Sequence, residues 1–62
     1  MINDIFKDCE AIADKYEKKL IDVVIRYTEI EMKYKSKKEC FNHNTIVIET
    51  NNHFKKMYNK NE

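Results

Sequence analysis

The chain has 62 residues, with no glycine, no proline, two cysteines, 37% charged side chains and a formal net charge of +1. Missing glycine excludes phosphate-cradling loops and dinucleotide fingerprints, and missing proline excludes a fixed kink. A chain this short is one small domain at most, residues 1–62, and its core is marginal without a staple, a metal or self-association.

Eleven lysines stand against one arginine, Arg26, and leucine occurs once, as Leu20. This skew, with abundant Asn and Ile, accompanies AT-rich coding of the phage or viral kind. Asp4 and Asp8 stand where a signal peptide carries basic residues. The longest apolar cluster, residues 20–25, is interrupted by Asp22 and falls far short of the ~20 residues of a membrane span. The expected location is therefore cytoplasmic or otherwise intracellular, with no membrane partner.

The first predicted element is a long amphipathic helix over residues 3–38. Ile2, Phe6, Cys9, Ala13, Tyr16, Leu20, Val23, Tyr27, Ile30 and Tyr34 recur with unbroken 4-3 spacing, which places one apolar stripe on a helix in the manner of a coiled coil. Ile5, Ile12, Lys19, Arg26 and Lys33 flank the stripe on one side, and Asn3, Glu10, Glu17, Val24 and Glu31 flank it on the other. An antiparallel pair of identical helices sets each flank against itself, so parallel self-association is favoured on charge. Asn3 or Asp4 is the expected N-cap, and Lys33, Lys35, Lys37 and Lys38 suit the negative end of the helix dipole. Leu20, Ile21, Val23, Val24 and Ile25 are apolar on more than one face, which calls for cover from a second element.

Residues 39–44 are the predicted turn, because Asn42 and Asn44 compete with the helical backbone and tolerate left-handed conformations. A second helix over residues 45–59, capped by Asn44 or Thr45, folds back on the first, and residues 60–62 fray. The fold class is thus all-α: a long helix with a shorter antiparallel returning helix, a helical hairpin. The competing reading is a small α+β chain with strands near residues 22–34 and 45–50, where β-branched and aromatic residues are dense.

Chemistry-bearing constellations are sparse. Cys40 and His43 have ligand-like spacing, but Cys9 and His53 do not form the second pair that a structural zinc site shows, so neither metal nor cofactor is expected. On one continuous helix Cys9 and Cys40 lie roughly 46 Å apart, which forbids an intramolecular disulfide. The only serine, Ser36, lies in a lysine run, and no catalytic residue is assigned.

The expected function is that of a small non-enzymatic accessory or regulatory protein. It would bind a protein partner, or itself as an oligomer, through Leu20, Val23, Val24, Tyr27, Ile30 and Tyr34. The alternative is nucleic-acid binding. Residues 1–31 carry eight acids against five bases and residues 32–62 seven bases against three acids, so Lys33, Lys35, Lys37, Lys38, Lys55 and Lys56 form a candidate phosphate-contacting patch.

Overall fold

A computed structural model of the chain describes residues 2–58, with side chains from Asp4 onward. It is all-α, and no strand occurs among the described residues. Three helices follow in order: α1 (Ile2–Lys15), α2 (Leu20–Lys37) and α3 (His43–Tyr58). Each of them packs against the other two. The helix expected over residues 45–59 corresponds to α3, which begins two residues earlier, at His43, and residues 59–62 lie outside the described part.

The single helix expected over residues 3–38 is divided at residues 16–19. The longest dimension of the molecule is 36 Å, against the roughly 54 Å that a 36-residue helix requires. The break lies at Glu17, whose φ of 56° is left-handed. The Lys18 N–H reaches back to the Ala13 carbonyl at 2.8 Å and the Glu17 N–H to that of Asp14 at 3.4 Å. These two bonds define a Schellman ending, normally built on glycine. Lys38 ends α2 in the same way: its φ is 58°, its N–H bonds the Lys35 carbonyl, and the Glu39 N–H bonds that of Tyr34. With no glycine available, a glutamate and a lysine take the left-handed positions.

A left-handed non-glycine residue costs about 1–2 kcal/mol. Burial outweighs it. The turn lets α1 and α2 close their apolar faces on each other, and Cys9, Ile12, Ala13, Tyr16, Val23, Tyr27, Ile30, Ile46 and Phe54 form one core. Complete burial of an aliphatic or aromatic side chain is worth about 1.5–3 kcal/mol, so one such residue offsets the strained turn. The stripe read from the sequence is therefore real from Cys9 to Tyr34, but it closes on its own chain.

At the second turn Asn42, rather than Asn44 or Thr45, caps α3. Its Oδ1 accepts from the Thr45 N–H at 2.9 Å and from the Thr45 hydroxyl at 3.0 Å. At the other end of the chain Asp4 lies in the first turn of α1, not at its cap. Thr50 is fully buried in α3, and its hydroxyl is satisfied by the Ile46 carbonyl at 2.7 Å.

Candidate functional site

One polar cluster draws a residue from every helix. His43, at the start of α3, places Nε2 2.6 Å from Oδ2 of Asp8 on α1 and Nδ1 2.7 Å from the Tyr27 hydroxyl on α2. A carboxylate only accepts, so Nε2 carries the proton and donates to Asp8. In the neutral ring Nδ1 then accepts from the Tyr27 phenol. Burial first, and then the carboxylates of Glu31 and Asp8 and the neighbouring Cys9, raise the Tyr27 pKa, so the phenol keeps its proton. Burial, followed by the Asp8 charge, likewise raises the Cys9 thiol. A phenol, an imidazole and a carboxylate in series could relay a proton, but Tyr27 is buried and lines neither of the two surface grooves described next. The cluster works as a clasp between helices.

Two adjoining grooves run between α2 and α3 and share Arg26 and His53. The larger, about 340 Å³, is cationic: Arg26 and Lys33 come from α2 and Lys56 from α3, with Glu49 the one carboxylate. Glu49 accepts from the Tyr34 hydroxyl, a bond that, with burial, raises the Tyr34 pKa. Burial, and then the Arg26 charge, lower the His53 pKa. Lys56 adds to the effect and Glu29 opposes it. The second groove, about 310 Å³, has an apolar floor of Ile25, Phe54 and Met57 beside Asp22 and Glu29.

The third feature is the outer face of α2. Ile21, Ile25 and Met32 are 60%, 50% and 62% exposed, and with Thr28 they fall within about 60° of one another on the helix, opposite the Val23, Tyr27 and Ile30 face. Asp22 and Glu29 border this stripe on one side. Glu31 borders it on the other, 3.9 Å from Lys35, while Glu29 lies 3.3 Å from Arg26. The cover expected for the apolar middle of the chain thus reaches Val23 but not Ile21 or Ile25.

Of the residues proposed to meet a partner, Val23, Tyr27 and Ile30 are buried in the core, and Leu20, Val24 and Tyr34 are half-buried against it. That face is closed by α1 and α3 because the turn at Glu17 brings them there. Of the lysine patch, Lys33 and Lys56 meet across the larger groove, Lys35 pairs with Glu31, and Lys37, Lys38 and Lys55 are exposed elsewhere. Arg26 and His53 were outside the expected patch. The heptad flank Lys19, Arg26 and Lys33 was the signal for Arg26, and none existed for His53.

Cys9 is buried, Cys40 is exposed, and both are free thiols. Among the described residues no three His, Cys, Asp or Glu side chains gather as metal ligands, and no helix is long and apolar enough to cross a membrane. These features define an all-α protein of three packed helices. Comparison with protein-family models, curated proteins and solved structures finds no match for the chain.

Proposed function

We propose that this chain is a small non-enzymatic binding protein that presents the outer face of α2 to a helix of a protein partner. The carrying observation is the exposed stripe of Ile21, Ile25 and Met32, spaced as a helix-in-groove contact requires and turned away from a core that is already complete. With Glu29 paired to Arg26 and Glu31 to Lys35, the charge left at its borders is that of Asp22, so the partner that fits is an amphipathic helix with basic flanks. A second copy of the same face fits less well, because an antiparallel pair sets Asp22 against Glu29.

The test titrates a helical peptide with a leucine stripe and lysine flanks into the chain, beside the same peptide with glutamate flanks. Binding of the lysine peptide alone, lost in Ile25→Asp and weakened about tenfold by Asp22→Lys with Glu29→Lys, supports the reading. Equal binding of both peptides, or of neither, refutes it.

A second reading, polyanion binding, has one observation in its favour: Arg26, Lys33 and Lys56 line a common groove. It requires that a single-stranded oligonucleotide bind with a steep salt dependence and that Lys33→Gln and Lys56→Gln each flatten the slope by about one. No binding at low salt ends it.

A further inference from the structure

Glu17 holds a left-handed backbone between two helices whose apolar register passes through it without a skip. The Cβ of a non-glycine residue crowds the following carbonyl in that conformation. The turn also leaves α2 poorly started. Lys19 at its N-cap provides no side-chain cap, and among the described residues the N–H groups of Lys19, Leu20 and Ile21 donate to no backbone carbonyl. If residues 16–19 were helical, these three donors would meet the carbonyls of Lys15, Tyr16 and Glu17. Glu17 would leave the left-handed region, and Ala13, Tyr16, Leu20 and Val23 would continue one stripe. Such a helix lacks only cover, since opening the turn separates the faces of α1 and α2 that bury each other.

We propose that Glu17 is a hinge, and that two copies of this chain exchange their first helices to form a dimer in which residues 2–37 run as one helix. In it, α1 of each copy packs on α2 and α3 of the other. Every contact of α1 is remade across the dimer, including the bond from Asp8 to His43, so the core is kept and only the hinge changes. Charge permits the antiparallel pairing this needs over most of its length, because α1 meets α2, and like charges face each other only at the centre, where Glu17 lies opposite Glu17 of the second copy. Ile5 and Ile12 occupy the flank where α2 carries Arg26 and Lys33, and Glu10 falls opposite Val24. Leu20, Val23, Val24, Tyr27, Ile30 and Tyr34 then do meet another molecule, the first helix of a second copy. The outer face of α2 stays open, twice per dimer, so this inference stands apart from the partner-helix reading.

The experiment is sedimentation equilibrium of the full chain from micromolar to millimolar concentration, with isotope-filtered NMR on mixed labelled and unlabelled protein. The wild type forms a dimer as concentration rises, and methyl contacts between the Ile12 and Val23 core regions connect different copies. Glu17→Gly removes the penalty of the left-handed position and disfavours the helix; about tenfold per hinge over two hinges weakens the dimer about 100-fold. Glu17→Val aggravates the left-handed position and tightens the dimer several-fold, with a gain in helical circular dichroism. A chain that stays monomeric at millimolar concentration overturns the proposal. So does a dimer without core contacts between copies, or one indifferent to Glu17→Gly. If Glu17→Val fails to fold, the wild type and Glu17→Gly decide the matter.

Discussion

Two tyrosines bury chemically identical hydroxyls in opposite circumstances, and deleting each oxygen should move stability in opposite directions. Tyr16 is 4% exposed, packs edge-on to Tyr58 with ring centroids 5.5 Å apart, and its hydroxyl has no hydrogen-bond partner among the described residues. A buried hydroxyl without a partner costs about 1–3 kcal/mol. Tyr16→Phe keeps the ring and removes that cost, so a gain near the lower end, about 1 kcal/mol, is expected. Tyr27 is equally buried, but its hydroxyl donates to His43 at 2.7 Å. Tyr27→Phe removes that bond and leaves Nδ1 of a half-buried ring unpaired, a loss of about 1–1.5 kcal/mol. The two variants should therefore differ by about 2 kcal/mol, roughly 8–16 °C in Tm for a domain of this size. Thermal unfolding followed by circular dichroism, with urea titration for ΔG, measures both. If Tyr16→Phe lowers stability as far as Tyr27→Phe does, the account of the buried hydroxyl is wrong.

Three further outcomes are expected. Lys38→Gly frees the left-handed end of α2 from its Cβ and should raise stability by about 1 kcal/mol, or roughly 4–8 °C in Tm; a loss in calorimetry would contradict the Schellman assignment. Asn42→Ala removes the cap of α3 and should lower stability by about 1 kcal/mol in urea titration, whereas Asn44→Ala should leave it nearly unchanged. The His53 pKa lies below its unfolded value, mainly from burial and then from Arg26 and Lys56, against Glu29. The neutral ring's contribution is complete above about pH 6.5 and is lost as pH falls through the lower folded value. His53→Asn should therefore be less acid-sensitive than the wild type in Tm measured from pH 8 down to pH 5, and identical profiles would remove His53 as the cause.

The all-α class was legible because the 4-3 stripe from Cys9 to Tyr34 is a helical pattern whether the helix is continuous or broken. A helix after the Asn-rich residues was legible as well, from the apolar spacing within it, but its start was not, since Asn42 caps it and it begins at His43. The turn at Glu17 was not. A left-handed glutamate has no local signature, and what drives it is the closing of α1 on α2, which lies outside any short window of sequence. The lack of glycine did not keep the chain from ending its helices in left-handed turns, since Glu17 and Lys38 both adopt the glycine conformation.

The clasp was equally hidden. Asp8 and His43 are 35 positions apart, and His43 and Tyr27 are 16 apart, so nothing short of the fold joins them. The exposed stripe was half visible, since Ile21 and Ile25 already made the middle of the chain apolar on more than one face. Met32 completes it only once the core-facing side of α2 is known.

The clasp at His43 also bears on how the molecule opens. One imidazole holds α1 through Asp8 and α2 through Tyr27, so α3 cannot lift away without releasing both neighbours. Each helix packs against both of the others, so the departure of one uncovers apolar surface on the remaining two. Amide protons at the centres of all three helices should then exchange with solvent through the same whole-molecule event, rather than in separate tiers. An exchanged dimer would have to pass through that event, so species separated at one concentration would persist long after dilution.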